Sequence, residues 1–209
     1  MNGFFITGTD TNVGKTLASA VLTLALRGHY WKPIQTGVAD EMADAHKVRE
    51  WTGLPPQHIL PSRYLFQASL APDQASALEE TPIHLSSCTK PNVHSLIIEG
   101  AGGVFVPINA SHCMMDLMAE VALPIIIVTR GSLGTINHTL LTIAALRQRA
   151  LPIHGILFSG EWHAANQAAI EHWSGVRTLF RIPLFPTVNA TVLHDFVTQH
   201  HQQIMEFLR

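Results

Sequence analysis

Charged residues are scarce in this chain. Asp, Glu, Lys and Arg make up 13% of its 209 residues, whereas apolar residues make up 47%. The formal net charge of −2 provides neither a basic surface for nucleic acid nor a polybasic membrane anchor. We therefore expect no nucleic acid and no membrane among the partners, and we expect helices that pack against a sheet.

Cysteine is also rare, and long apolar runs are absent from the sequence. The two cysteines, Cys88 and Cys113, belong to no motif, so we expect no disulfide framework and a reducing cytoplasm as the setting. No apolar run reaches the length of a bilayer-spanning helix, and the first residues lack the pattern of a secretory signal. Histidine is frequent, with 13 residues, but no spacing suits a metal site, and we interpret these side chains as solvated or packed.

Short apolar runs alternate with helical stretches. The runs Leu96–Ile98 and Ile125–Val128 are continuously apolar, which is typical of parallel strands covered by helices on both faces. Strands are predicted at Gly3–Thr7, His29–Ile34, Ser95–Glu99, Pro124–Thr129, Ile153–Phe158 and Arg177–Ile182. Helices are predicted at Lys15–Leu26, Ile136–Arg149, Ala164–Trp173 and Thr191–Leu208. This alternation predicts a doubly wound, mostly parallel α/β sheet with helices on both faces, in a single domain over residues 1–209.

The segment Glu50–Pro91 differs from the rest of the chain. It is rich in Pro, Gln and Ser and has no strong periodicity, so we expect loops and short helices, with one helix near Asp73–Glu79. Loops of this length in a compact domain commonly carry function.

The most informative motif follows the first predicted strand. Residues Gly8–Thr16 read Gly-Thr-Asp-Thr-Asn-Val-Gly-Lys-Thr and lead into a predicted helix. Five residues separate Gly8 from Gly14, one more than in the common phosphate-binding loop. Backbone N–H groups and the helix N-terminus would bind phosphate, with Lys15 on the outer phosphates and the Thr16 hydroxyl on Mg²⁺. The motif predicts a P-loop NTPase that binds a nucleoside triphosphate.

Charged residues follow two further strands, and in α/β sheets ligands bind at the carboxyl ends of the strands. Lys32 would neutralise charge on a transferred phosphoryl group; a lysine lying along the surface at a strand end is the alternative. Glu99 ends an apolar strand, and Thr16, Asp44 and Glu99 together would supply oxygen ligands for Mg²⁺. For Asp44 the alternative is a carboxylate in the first turn of a helix, and Asp40 is a second candidate ligand.

Glycines and hydroxyls also open the helix after the fourth predicted strand. The stretch Gly131–His138 reads Gly-Ser-Leu-Gly-Thr-Ile-Asn-His and contains no lysine. Helix starts of this kind bind anions, so this one would hold a substrate carboxylate. An ordinary helix cap by Ser132 or Thr135 is the alternative.

Together these motifs resemble the dethiobiotin synthetase family, ATP-dependent enzymes that close the ureido ring in biotin synthesis. They occur in the order of the family and cover nearly the whole chain, and the longer spacing in the phosphate loop is the family's own form. The matching stretches are Thr7–Thr11 with Val13–Thr16, Lys32–Gly37, Glu99–Gly103, Leu133–His138 and Ile182-Pro183.

The resemblance implies a concrete reaction. Enzymes of this family bind ATP, Mg²⁺ and 7,8-diaminononanoate, and one amine of the substrate takes up carbon dioxide, supplied as CO₂ or bicarbonate, to give a carbamate. The carbamate attacks the γ-phosphate of ATP, and the second amine displaces phosphate from the mixed anhydride as the ring closes. The family also implies a homodimer, in which the helix start at Gly131–Asn137 holds the substrate carboxylate across the interface.

The resemblance also assigns roles to individual residues. The catalytic residues would be Lys15, Lys32 and Thr11. The nucleotide would be bound by Asn12, Val13, Gly14, Lys15, Thr16, Leu17, Glu99, Gly102, Ser159 and Pro183. The substrate would be bound by Thr36, Gly134 and Asn137, and Mg²⁺ by Thr16, Asp44 and Glu99.

Three positions depart from the family pattern. Asn12 stands where an acidic residue is frequent, and Asp73 stands where a histidine is common. Ser159 takes the place of an asparagine that reads the adenine edge. A single hydroxyl cannot offer the paired donor and acceptor of an amide, so we expect weak selection between nucleobases.

Two other functions use a phosphate loop of this kind. An amide ligase acting on a cobalamin precursor commonly carries a glutaminase domain, for which this chain has neither the length nor a Cys–His context. A partition or septum-placement ATPase requires a second lysine near the start of the loop, where this chain has Gly8 and Thr9. The sequence therefore favours the synthetase.

Overall fold

The computed structural model describes residues 3–208, and Met1, Asn2 and Arg209 of the predicted domain lie outside the described residues. Strands and α-helices alternate along this part of the chain. The strands are β1 Gly3–Gly8, β2 His29–Trp31, β3 Ile34–Gln35, β4 Ile59–Leu60, β5 Tyr64–Leu65, β6 Leu96–Gly103, β7 Ile125–Thr129, β8 Ile153–Ser159 and β9 Thr178–Ile182. The helices are α1 Lys15–Leu26, α2 Asp44–Thr52, α3 Pro72–Leu78, α4 Met114–Val121, α5 Thr135–Gln148, α6 Ala164–Ser174 and α7 Ala190–Phe207.

Seven of the strands form one sheet. Its order is β4-β2-β6-β1-β7-β8-β9, and its neighbouring strands pair in parallel. The central strand is therefore β1, between β6 and β7. The strands β3 and β5 form a separate parallel pair. This topology confirms the predicted doubly wound, mostly parallel α/β fold.

Helices cover both faces of the main sheet. Successive side chains of β1 point to opposite faces, so Phe4 and Ile6 belong to one buried cluster and Phe5 to the other. The helices α1, α2 and α7 pack on the first face, where α7 contributes Leu193. The helices α4, α5 and α6 contribute to the second cluster, with Ile143 from α5. Burial on both faces explains why the strand sequences are continuously apolar.

The stretch His29–Ile34 is not a single strand, and that prediction is wrong in its extent. The strand β2 ends at Trp31, and β3 belongs to the two-stranded sheet. Pro33 separates them because it has no N–H for a ladder hydrogen bond. Its carbonyl accepts hydrogen bonds from the backbone N–H groups of Arg63 and Tyr64 at the start of β5, which draws the chain away from the main sheet. Lys32 therefore lies at the point where the two sheets diverge.

The predicted helices are present, with shifts at their ends. The bounds of α1 agree with the prediction, and α3 confirms the short helix predicted near Asp73–Glu79. The helices α2 and α4 were not predicted, and the segment Glu50–Pro91 also contains the two-residue strands β4 and β5. Between residues 3 and 208, no helix combines the length and the apolar character needed to cross a membrane.

Candidate active site

The phosphate loop connects the central strand β1 to α1, at the carboxyl end of the main sheet. It runs from Gly8 to Lys15, the first residue of α1. Gly14 has a φ of 95°, and a Cβ at this position would lie 2.2 Å from the Ser159 Oγ. Asn12 also has a positive φ, of 57°. The tight turn therefore requires glycine at position 14, as expected of a loop whose backbone closely approaches a phosphate.

Lys15 is folded back onto this loop. Its Nζ donates a hydrogen bond to the Asp10 carbonyl at 2.8 Å, and the residue is only 7% exposed. Burial lowers the pKa of Lys15 from 10.5 to about 8; the nearby Lys32 cation acts in the same direction, and Glu99 opposes it. The ammonium group thus depends on one backbone acceptor, which a phosphate oxygen would replace.

Several predicted site residues meet at a group of side chains that we call the Glu99 cluster, comprising Thr16, Tyr30, Lys32, Asp44 and Glu99. The Lys32 Nζ donates to Glu99 Oε1 at 3.1 Å and also pairs with Asp44 Oδ2. The Thr16 hydroxyl donates to the same Glu99 oxygen at 3.0 Å. The side chains of Lys32 and Glu99 are 8% and 0% exposed. The structure therefore brings the three candidate magnesium ligands together with the second lysine.

Opposite charges within the Glu99 cluster keep Lys32 and Asp44 ionised. Burial alone would lower the pKa of Lys32, but the Glu99 and Asp44 carboxylates outweigh burial and raise it above 10.5. Burial alone would raise the pKa of Asp44, but the Lys32 ammonium outweighs burial and lowers it below 3.8. Lys32 is therefore a buried cation held by two carboxylates, and the interpretation as a lysine lying along the surface is wrong.

The two candidate carboxylates before α2 have different surroundings. Asp44 is the first residue of α2, as the alternative of a first-turn carboxylate stated, and it also contacts Lys32. Asp40 is exposed and accepts a hydrogen bond from the Ser69 hydroxyl at 2.5 Å. The ion pair with Lys32 favours Asp44 as the ligand.

Thr36 is connected to Asp44 through Gln35. The Gln35 Nε2 donates to the Thr36 carbonyl at 2.7 Å, and its Oε1 accepts from the Asp44 backbone N–H at 3.0 Å. Thr36 itself is half-buried at the end of β3. One amide side chain therefore links this candidate substrate residue to the start of α2.

Tyr30 belongs to the Glu99 cluster but was not singled out from the sequence. Its hydroxyl donates to Glu99 Oε2 at 2.9 Å, and the residue is fully buried. Burial, followed by the Glu99 charge, raises the pKa of Tyr30 well above 10.0, so the phenol stays protonated. In the parallel pair β2–β6, Tyr30 lies opposite Ile97, two residues before Glu99 and on the same face. Tyr30 could therefore be identified only from the register of β2 against β6, and not from the sequence of either strand alone.

Thr11 and three of the residues assigned to the nucleotide lie on or beside the phosphate loop. The Thr11 hydroxyl is 3.8 Å from the position that a Cβ on Gly102 would occupy, and Gly102 has a φ of 62°. Val13 is buried in the same cluster as the α1 side chains, and Leu17 packs against that cluster. Thr11 and Gly102 are thus neighbours across the loop, whereas Val13 and Leu17 anchor it.

A second opening, which we call the β8–β9 cleft, lies where these two strands end. It has a volume of about 590 Å³. The Arg181 guanidinium lies 3.7 Å from the centre of the Trp162 ring, as in a cation–π contact. Ser159 is buried against Gly14, and the cleft begins at the next residue along the chain. Residues lining the cleft include Gly160, Trp162, Arg181, Pro183 and Phe185.

The predicted carboxylate site at the start of α5 faces solvent. Gly134, with a φ of 93°, is the N-cap residue, so the alternative of a cap by Ser132 or Thr135 is wrong. Gly134 and Asn137 are exposed, and the preceding Leu133 is 102% exposed. A helix start with an uncovered leucine beside it is suited to contact with another molecule.

Several known proteins are similar to this chain over most of its length. A family of AAA domains matches residues 2–192. The ATP-dependent dethiobiotin synthetase BioD of Paramagnetospirillum magneticum is 46% identical over 92% of this chain and 93% of its own length. The enzyme of the same name from Novosphingobium aromaticivorans is 43% identical, with the same coverage of both chains. The chain belongs to the dethiobiotin synthetase family.

A longer protein and two solved structures are also similar to this family member. The biotin biosynthesis bifunctional protein BioCD of Bordetella avium is 46% identical over 90% of this chain, which corresponds to 41% of that protein. A chain of the MinC:MinD cell division complex of Aquifex aeolicus covers 100% of this chain, 96% of its own length, at a TM-score of 0.61 and 14% identity. A ParA family ATPase from Chlorobium tepidum covers 100% of this chain, 91% of its own, at a TM-score of 0.53 and 15% identity. At such identities the partition-type ATPases share the fold alone.

The Glu99 cluster suits the magnesium ion expected of this family. Within residues 3–208, no group of three His, Cys, Asp or Glu side chains is arranged to hold a metal. The oxygen donors that meet in the cluster, the carboxylates of Asp44 and Glu99 and the hydroxyl of Thr16, would be its ligands. Magnesium prefers oxygen ligands and commonly keeps waters and phosphate oxygens beside one or two carboxylates. The residues present fit that preference.

Proposed function

We propose that this chain closes the ureido ring of 7,8-diaminononanoate with carbon dioxide and ATP, giving dethiobiotin, ADP and phosphate. The activity follows from its family. The observation that carries the proposal is the position of Lys32, a buried cation held between Asp44 and Glu99 beside the phosphate-binding helix α1. Such a cation is suited to neutralising charge on a phosphoryl group in transfer.

The chemistry requires two displacements. A carbamate oxygen of the substrate attacks the γ-phosphorus of ATP, and the bond to ADP breaks with its electron pair leaving on ADP. The second amine then attacks the carbamoyl carbon, phosphate leaves, and the amine loses a proton. We assign Lys15 and Lys32 to the charge that develops on the phosphoryl oxygens, and Thr11 to contact with the reacting groups.

We further assign the ion and the nucleotide to the residues around the loop. Thr16, Asp44 and Glu99 would hold Mg²⁺, which supplies positive charge to phosphate oxygens when it is bound. The phosphates would be bound by the loop residues Asn12–Leu17 with Gly102, and the base would lie in the β8–β9 cleft, at Pro183. Thr36 would contact the substrate amines.

We also propose a homodimer. The exposed large apolar side chains include Phe105 at 64%, Leu133 at 102% and Leu141 at 61%, and the last two flank or belong to α5. Burying them against a second copy would bring Gly134 and Asn137 of one subunit to the other subunit's site. Mixing inactive Lys15→Gln and Asn137→Asp chains should then restore roughly a quarter of the parental activity, because half of the sites are in mixed dimers and half of those are intact. No recovery on mixing would contradict a shared site.

We propose in addition that the chain forms one domain, which the seven-stranded sheet with strands from both ends of the chain supports. We also propose that it works in the cytoplasm, a reducing setting in which Cys88 and Cys113 need no disulfide partners.

The function is tested by incubating the protein with diaminononanoate, ¹³C-bicarbonate, Mg²⁺ and ATP and measuring products by mass. We expect dethiobiotin that carries one ¹³C atom, together with an equal amount of ADP. The Lys15→Gln variant and a reaction without ATP serve as controls. Hydrolysis of ATP without labelled dethiobiotin would overturn the proposal.

A further inference from the structure

The two oxygens of the Glu99 carboxylate have separate partners. Oε1 accepts hydrogen bonds from Thr16 and Lys32, at 3.0 and 3.1 Å. Oε2 accepts from the Tyr30 hydroxyl at 2.9 Å. Both side chains are fully buried, so water does not compete for this contact. One oxygen therefore faces the candidate magnesium ligands, and the other is fixed on a phenol.

Without the Tyr30 hydroxyl, Glu99 would lose the hydrogen bond that holds its Oε2 in this position. A buried carboxylate oxygen that loses its donor carries a large desolvation penalty. The nearest cation is Lys32, and the carboxylate would turn so that both oxygens approach its ammonium group. That rotation would move Oε1 away from Thr16.

We propose that Tyr30 is a positioning residue that orients Glu99 toward Thr16 and so prepares the magnesium site. The inference rests on the proposed function, since it deepens the role assigned to Glu99. Tyr30 acts from the side of the sheet covered by α1 and α7, where its ring belongs to the buried cluster. Hydrogen bonds from outside the ligand set commonly change metal affinity by ten- to a hundredfold when they are removed.

The chain offers a matched control, because it contains two tyrosines. Tyr64 is also buried, and its hydroxyl accepts from the His84 backbone N–H at 3.0 Å, in the other core cluster. Both Tyr30→Phe and Tyr64→Phe remove one buried hydroxyl and keep the ring. A general loss of stability would be common to the two variants, whereas a change in metal binding would be specific to Tyr30.

The test measures binding of Mn²⁺, used as a paramagnetic substitute for Mg²⁺, to the protein with a non-hydrolysable ATP analogue. We expect Tyr30→Phe to weaken Mn²⁺ binding by about tenfold and Tyr64→Phe to leave it unchanged. We also expect no further loss when Tyr30→Phe is added to Glu99→Gln, since Tyr30 acts through Glu99. Equal Mn²⁺ affinity in Tyr30→Phe and the parent protein, or fully additive losses in the double variant, would overturn the inference.

A second measurement keeps the hydroxyl at position 30. In the Tyr64→Phe background, fluorotyrosine is incorporated at position 30 alone, and its ¹⁹F resonance is recorded while Mg²⁺ and the analogue are added. We expect the resonance to shift on addition of Mg²⁺, and an unmoved resonance at saturating Mg²⁺ would overturn the inference. Neither measurement depends on ring closure, so a protein that binds metal and nucleotide without forming dethiobiotin would refute the proposed function only.

Discussion

The Glu99 cluster and the β8–β9 cleft lie at the same edge of the sheet but are built differently. In the Glu99 cluster the charged groups are buried and already hydrogen-bonded to one another, with Lys32 held by two carboxylates. The cleft is wide, and its most prominent contact is the stacking of Arg181 on the exposed Trp162 ring. Under the proposed function, the charged groups for phosphoryl transfer are held in place before the nucleotide binds, whereas the cleft offers the base mainly contact area.

The largest expected effect is at the phosphate end. Replacement of Lys15 by Gln should lower the turnover rate at least about a hundredfold, equivalent to ~3 kcal/mol, because a buried cation on the transferred group is lost. The matched control is Lys90→Gln, which removes an exposed lysine from the segment between α3 and β6. Turnover of Lys15→Gln within a few-fold of the parent protein would remove this lysine from the mechanism.

The second prediction asks which carboxylate, Asp40 or Asp44, binds Mg²⁺. Asp44→Asn should raise the Mg²⁺ concentration needed for half-maximal activity by about tenfold, since an ionised oxygen ligand is replaced by an amide. Asp40→Asn should leave it unchanged, because Asp40 is bonded to Ser69 away from Lys32. A raised requirement in Asp40→Asn alone would show that the wrong carboxylate has been assigned.

The third prediction concerns the effect of pH on the metal-free and nucleotide-free protein. Burial lowers the pKa of Lys15 from 10.5 to about 8, so between these values the folded chain releases a proton that the unfolded chain keeps. The free energy of unfolding should therefore rise with pH above 8, relative to Lys15→Met, by at most about 1.4 kcal/mol per pH unit. Below pH 8 the difference should be constant.

Urea titrations of the two proteins from pH 7 to 10 measure this difference, and Lys47→Met is the control. Burial alone would lower the pKa of Lys47, but Glu41 and Asp44 raise it, so its removal should give no rise in this range. If the difference in the free energy of unfolding between the parent protein and Lys15→Met did not change with pH, burial would not lower the pKa of Lys15.

The smallest expected effect is at the β8–β9 cleft. Ser159 is buried against Gly14 and has one hydroxyl, so it cannot form the paired hydrogen bonds by which an amide reads adenine. We expect kcat/KM for GTP and CTP within about tenfold of ATP, or ~1.4 kcal/mol. Ser159→Ala should leave these ratios unchanged. A kcat/KM for ATP more than about a hundredfold above those for GTP and CTP would show that the site selects strongly for adenine without an amide side chain at position 159.

Local sequence was sufficient for the central elements. The bounds of α1 could be predicted because a glycine-bearing loop precedes a long run of helix-forming residues, and α3 because Pro72 opens it. The helix α2 was missed because Val48 and Thr52 are its only buried residues within the described chain, which leaves little periodicity. The helix α4 was missed because Cys113, an uncommon N-cap residue, begins it, with its N–H bonded to Asp116.

In the candidate site, too, some positions follow from local sequence and others do not. Lys15 and Thr16 belong to one continuous motif, and their positions follow from the strand before them and the helix after them. The contacts of Glu99 depend on residues 67 to 83 positions away, including Lys32 and Thr16. The Tyr30 contact requires the register of β2 against β6, which a single sequence does not specify. Sequence therefore predicted four of the five members of the cluster, and the fold supplied Tyr30 and the pairing of all five.

Gln35 has a consequence for the motions of the protein. Its amide bonds both the Thr36 carbonyl and the Asp44 N–H, and the N-cap residue of α2, Ala43, has no side chain that could replace it. Loosening of the β3–β5 sheet would therefore release the first turn of α2 and carry the Asp44 carboxylate away from Lys32. Opening of this small sheet and displacement of the Asp44 carboxylate would therefore occur together. A ligand bound to Asp44 would then slow hydrogen exchange in β3 and β5, which it does not touch.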